Sequence, residues 1–129
     1  MLNSKTTSPI LLTLCFLAVS NLAQSATLEM CNQVSNAVNS QMPMIIDSEN
    51  TARTTFCIQS GNKKPALHYM ISTKVTHPDF ATQKRHSKNF WCSDPRQKEL
   101  LSYFDVQYEY RNASGIFIGF VDVNISMCR

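Results

Sequence analysis

Glycine is scarce in this chain, with three among 129 residues. That scarcity excludes the glycine-rich loops that cradle phosphates, and low-complexity linkers with them. Several catalytic signatures are also missing. There is no G-x-S-x-G and no H-E-x-x-H. No two cysteines stand at C-x2–4-C spacing, and no H-x3–5-H pair accompanies them, so no zinc set is legible. Charged residues make up 16% of the chain, with a net charge of +3. That is too mild a balance to argue for a nucleic-acid partner. Beyond the N-terminus no apolar run approaches the roughly 20 residues that a helix needs to span a bilayer.

The N-terminus reads MLNSKTTSPILLTLCFLAVSNLAQSATLEM, with Lys5 the only charge before Glu29. An apolar run from Ile10 to Val19 is broken only by Thr13. Small and polar residues follow, and Ala23-Gln24-Ser25 has the form of a signal-peptidase site. This layout predicts a secretory signal peptide over 1–25 and a periplasmic or secreted mature domain over 26–129. The mature chain is long enough for one domain and one core.

Export gives the cysteines their meaning. Cys15 leaves with the leader, and Cys31, Cys57, Cys92 and Cys128 remain. An even set in a small exported domain reads as a disulfide framework. Four cysteines allow three pairings; the favoured one joins Cys92 to Cys128 and Cys31 to Cys57. The first pair would staple the C-terminus, and the second would pin a weak helix to a strand. The alternative, a metal or redox use, requires free thiols.

Periodicity orders the rest. Met30, Val34, Ala37, Val38 and Met42 fall on one face of a helix that Thr27 caps and Pro43 ends. TARTTFCIQ and ALHYMISTKV read as two strands around a turn at Gly61-Asn62. THPDFATQKRHSKNFW is either a helix, with Pro78 in its first turn and Thr76 or His77 as cap, or a long loop. SDPRQKELLSYF opens with a helix start, Asp94 capping and Pro95 following. Phe104 to Tyr110 alternates as a half-buried strand, RNASG turns, and a return strand runs toward Met127. Gly119 marks a bulge or a close backbone approach. The expected fold is α+β: a four-stranded antiparallel sheet of two hairpins, with two or three helices on one face.

Chemistry is thin. His77-Pro78-Asp79 could orient an imidazole as a general base, but such pairs are common in loops. His77 with His86 makes a weak metal pair. Glu99, Asp105 and Glu109 suit solvated charges better than an acid/base pair for sugar chemistry. Asn112-Ala113-Ser114 and Asn124-Ile125-Ser126 match the glycosylation sequon. No catalytic residue, metal or cofactor is expected. The best candidate surface is Lys84, Arg85, His86 and Lys88 with Phe90 and Trp91, since arginine and aromatic residues are enriched where proteins bind each other. The competing reading is a solvated segment whose Trp91 plugs the core.

The helix leading into NSQMP, then IDSENTARTTF, LHYMIS and CSDPRQKELLSYFDVQYEYRNASGIFIG with a terminal cysteine, resembles small exported bacterial proteins, in particular the quorum-sensing-regulated virulence factor family. The resemblance implies a compact helix-plus-sheet domain of the periplasm or exterior, with no catalytic residues to carry over. The leading expectation is therefore a non-enzymatic exported domain that binds a protein or cell-envelope component. The alternatives are a small secreted enzyme using His77 and Asp79, and a thiol-based metal or redox protein.

Overall fold

The computed structural model describes residues 19–129, with side chains from residue 26 onward. Residues 1–18, which carry most of the expected leader, lie outside the described residues. The chain forms helix α1 (Val19–Asn39), strands β1 (Met44–Ile45), β2 (Asn50–Ile58) and β3 (Ala66–Thr73), helices α2 (Phe80–Ser93) and α3 (Pro95–Leu100), and strands β4 (Asp105–Arg111) and β5 (Phe117–Val123). A short 3-10 turn, Ile125–Met127, follows.

The class is α+β, but the sheet differs from expectation. It has five strands in the order β1-β2-β3-β4-β5, and it is mixed. The two hairpins exist, β2 with β3 and β4 with β5, both antiparallel. Where they meet, β3 and β4 run parallel, Leu67 beside Val106 and Ile71 beside Tyr110. The cause is the connection. A parallel pair needs a crossover of a dozen or more residues, and α2 with α3 supplies one, so the chain re-enters beside β3 in the same direction. The fifth strand, β1, is two residues long and too short to show a period. It folds onto β2 through Asp47, whose carboxylate accepts from the Glu49 and Asn50 backbone N–H groups, each at 2.8 Å.

Helix boundaries also moved. No glycine or proline interrupts Val19–Ser25, so α1 starts well before Thr27. It ends at Asn39, where Gln41 and Met42 bond back to Val38 and Asn39 and tighten the last turn. Its buried face substitutes Ser35 for the exposed Ala37, because Ser35 Oγ meets Thr55 Oγ1 of β2 at 2.8 Å. α2 is a helix and not a loop. Its cap is Asp79, not Thr76 or His77: the carboxylate accepts from Thr82 N at 3.1 Å and from its hydroxyl at 2.7 Å. α3 starts at the expected cap, Asp94 accepting from Arg96 N. β5 stops at Val123, because the Asn124 side chain accepts from Ser126 N and opens the 3-10 turn.

Side chains alternate across the central strands. One face carries Leu67, Ile71, Val106, Tyr108, Val121 and Val123, and with Phe104, Leu101 and Trp91 they form the core. Both long helices pack on this face, α1 against β2 and α2 against β5. Cys31 is bonded to Cys57, tying α1 to β2, and Cys92 to Cys128, tying the end of α2 to the segment after β5.

At Gly119 a side chain of α2 lies directly against the sheet backbone. The Phe80 ring lies over it, and a Cβ there would stand 2.5 Å from the ring. The same ring meets Tyr110 edge-on at 5.4 Å. Gly119→Ala must push this ring aside, so it should cost about 1–3 kcal/mol, the usual range for overpacking. Placing Gly119→Ala in a Phe80→Leu background, with unfolding by urea as readout, should recover the ring's share of that loss and leave the backbone's share, because φ at Gly119 is +156°, a conformation that L side chains rarely adopt. An equal cost in both backgrounds would place the strain elsewhere.

Candidate functional site

The helices cover the two flanks of one sheet face and leave the middle of that face open. α1 stands over β2 and α2 over β5, so the core faces of β3 and β4 between them meet no helix along part of their length. The result is a groove with a cavity volume of about 810 Å³. Tyr69, Ile71, Tyr108 and Tyr110 form its floor; Val34 and Val38 of α1 line one wall. Met44, Ile45 and Ile46 continue that side, and His86, Phe90 and Trp91 of α2 face them.

The floor is aromatic and uncharged. Burial raises the Tyr69 hydroxyl to about 12. Tyr110 is also pushed up to about 12, by burial and then by the negative charge of Asp47. Tyr108 is raised as well, chiefly by burial. All three therefore stay neutral at physiological pH. Their polar tips are partly engaged: Trp91 Nε1 donates to the Tyr108 hydroxyl at 2.6 Å, and the Tyr110 hydroxyl donates to Gln83 at 3.4 Å. Asp47, at the rim, is lowered: burial opposes this, but hydrogen bonds from Asn50 and the Glu49 and Asn50 amides prevail.

Each wall has its own fastening. Cys31–Cys57, the Ser35–Thr55 contact and Asn39 hold α1. Asn39 clamps Thr55 from both sides, accepting from its N–H at 2.7 Å and donating to its C=O at 2.9 Å. Cys92–Cys128 and the Phe80–Gly119 contact hold α2. The groove is thus built before any ligand arrives, which lowers the ordering cost of binding.

The surface read from the sequence is divided. His86, Phe90 and Trp91 line the groove, while Lys84, Arg85 and Lys88 are exposed and do not. Trp91 does both things considered for it: it is 3% exposed, packs edge-on to Phe104, and its edge reaches the groove. The tyrosine floor was not singled out. Its signal was in the alternation of Tyr69, Tyr108 and Tyr110 on one strand face, but only the parallel register of β3 with β4 sets those residues side by side.

Three of the acid/base candidates, Asp79, Asp105 and Glu109, are separately employed. Asp79 caps α2, and the two hydrogen bonds from Thr82 hold its carboxyl below the usual value. Asp105 pairs with Lys64 at 3.6 Å. Glu109 accepts from His68 at 2.9 Å and from Arg111 at 2.5 Å. Burial works to raise Glu109, but these partners leave it lowered. His68 stands on the polar sheet face, as its alternation implies, yet it is buried because the Phe56 ring stacks on it at 4.8 Å. Asn112 and Asn124 use their side-chain oxygens to hold turns, which accounts for the Asn-x-Ser pattern at both places. Among the described residues no group of three or more His, Cys, Asp or Glu could hold a metal ion, and no helix is long and apolar enough to cross a membrane.

No family model and no curated protein matches the sequence. The resemblance to the quorum-sensing-regulated family therefore gains no support at that level. Solved structures do match. A "putative secreted protein" from Pseudomonas aeruginosa superposes with a TM-score of 0.69 at 13% identity, covering 84% of this chain and 97% of its own. The type 2 secretion system pilotin EpsS of Vibrio vulnificus gives 0.68 at 14% identity, covering 84% and 97%. The type II secretion system pilotin AspS of Vibrio cholerae gives 0.64 at 11% identity, covering 86% and 99%. The chain therefore shares the fold of small proteins of export and secretion. At these identities the likeness is one of fold alone.

Proposed function

We propose that this chain is an exported, non-enzymatic domain whose groove binds an amphipathic helical segment of a cell-envelope protein. Residues 1–25 act as its signal peptide, with cleavage near Ser25, and residues 26–129 form the mature domain in the periplasm or outside the cell. The observation that carries the reading is the open apolar groove between two separately fastened helices. A helix lays one apolar face into such a groove and reads it through residues at i, i+3, i+4 and i+7. The two disulfides agree with an oxidising compartment. The likeness in fold to secretion-system pilotins points toward a partner within an envelope assembly.

The rim offers a clean test, because Phe90 is 56% exposed and Ile45 is 79% exposed, so neither supports the core. Phe90→Glu with Ile45→Glu should leave the melting temperature unchanged while reducing co-purification of the partner from solubilised envelopes by roughly a hundredfold, because each substitution sets an unpaired carboxylate where the partner's apolar face must pack. Lys84→Glu with Lys88→Glu should leave that co-purification intact. If the groove variants retained the partner, the groove would not be its site.

A further inference from the structure

The two edges of the sheet are finished differently. On the β2 side, β1 covers Thr51 and Ala52, and beyond it Asn39 takes both the N–H and the C=O of Thr55. On the other side β5 runs for seven residues as the last strand, and no strand pairs with its outer side among the described residues. It contains no proline and no lysine; of the devices that blunt an edge it has one bulge, at Ile118 opposite Tyr110 and Arg111, and the charge of Asp122. Of its three exposed residues two are apolar, Phe117 and Phe120, and the third is Asp122. Phe117 is 49% and Phe120 52% exposed, with ring centroids 6.4 Å apart.

A basic row flanks this edge. Phe80, Lys84, Lys88 and Cys92 follow at i, i+4 spacing and so share one strip of α2. Both ends of the strip are fixed on the β5 side, Phe80 over Gly119 and Cys92 bonded to Cys128. Lys84 and Lys88 lie between them, exposed, on the flank away from the groove. The one acidic residue of β5, Asp122, accepts from the Gln107 amide at 2.9 Å.

We propose that the outer edge of β5 and the Lys84–Lys88 row form a second docking surface, which takes an extended acidic segment of a partner protein by strand addition. Main-chain hydrogen bonds to β5 would supply affinity, and alternate side chains would pack beside Phe117 and Phe120. The lysines select acidic side chains on the helix-bearing face. They also disfavour a second copy. Pairing β5 with β5 of another molecule would bring two basic rows together on the same face of the joined sheet.

The test uses the mature chain labelled with nitrogen-15 and two synthetic peptides as long as β5, one alternating valine with glutamate and one alternating valine with lysine. The acidic peptide should slow amide exchange along Phe117–Val123 and leave Tyr69 and Ile71 of the groove unchanged. Lys84→Glu with Lys88→Glu should weaken it roughly fivefold, the effect of two exposed charge pairs, and the lysine peptide should then be preferred. Phe90→Glu should change none of this, which separates failure here from failure of the groove reading. Three results would overturn the proposal: no protection of β5 at saturating acidic peptide, equal protection by both peptides, or protection that appears on concentrating the protein alone. Should the lysine variant fold poorly, the comparison of the two peptides on the unaltered chain decides.

Discussion

Replacing Trp91 with alanine should lower the stability of the domain by about 3–5 kcal/mol, the range for deleting a large buried aromatic side chain. Three losses combine. The indole is 3% exposed, so its removal leaves a large void. Its edge-on contact with Phe104, at 6.3 Å and 87°, disappears. Its N–H no longer reaches the Tyr108 hydroxyl, leaving that buried group without its donor. Trp91→Phe isolates the last loss. It retains most of the apolar volume and should cost about 1–3 kcal/mol, the penalty for an unsatisfied buried polar group together with a smaller packing change. Chemical denaturation of both variants checks the pair. Equal costs would mean that the hydrogen bond carries the whole effect and that the void collapses.

Removing either disulfide as a matched pair of serines should cost about 3–4 kcal/mol. The loops closed span 26 and 36 residues, and the chain-entropy relation gives nearly the same value for both. A domain of this size has about 5–15 kcal/mol in all, so removing both should leave it marginal or unfolded. The two losses differ in location. Without Cys31–Cys57 the α1 wall keeps the Ser35, Asn39 and Thr55 polar contacts and the packing of Met30 and Val34 on the core. Without Cys92–Cys128 the α2 wall keeps Phe80 and Trp91. Each single-pair variant should therefore show faster amide exchange on its own wall before global unfolding. Peptide mapping of the exported protein checks the connectivity itself. A peptide joining Cys31 to Cys92, or Cys31 to Cys128, would contradict the structure.

Local signals were legible where they depend on a few adjacent residues. Asp94 followed by Pro95 announced α3, and the alternation through Tyr108 and Tyr110 announced β4. Asp79 was misread, because Pro78 suited the first helical position with Thr76 or His77 as its cap, and only the folded backbone shows Thr82 bonding to Asp79. Long-range facts were not legible. Antiparallel and parallel pairings of β3 with β4 bury the same alternate residues, and the difference lies in where the α2–α3 crossover returns the chain. The groove was invisible for the same reason. Its walls come from α1, β1 and α2, and its floor from β3 and β4, which two helices separate along the chain. The basic cluster was legible as a run but not as a surface, since helical spacing sends His86 to the groove and Lys84 and Lys88 to the opposite flank.

The central claim is that the groove is where the partner binds, and site-specific photo-crosslinking in the exporting cell tests it most directly. A photoreactive residue at position 90 or 45 sits on the groove rim, and one at position 98, on the exposed side of α3, serves as control. The account predicts one discrete crosslinked envelope protein from positions 90 and 45, lost when Val38→Glu is added, and none from position 98. A discrete partner captured from position 98, with none from 90 or 45, would contradict it.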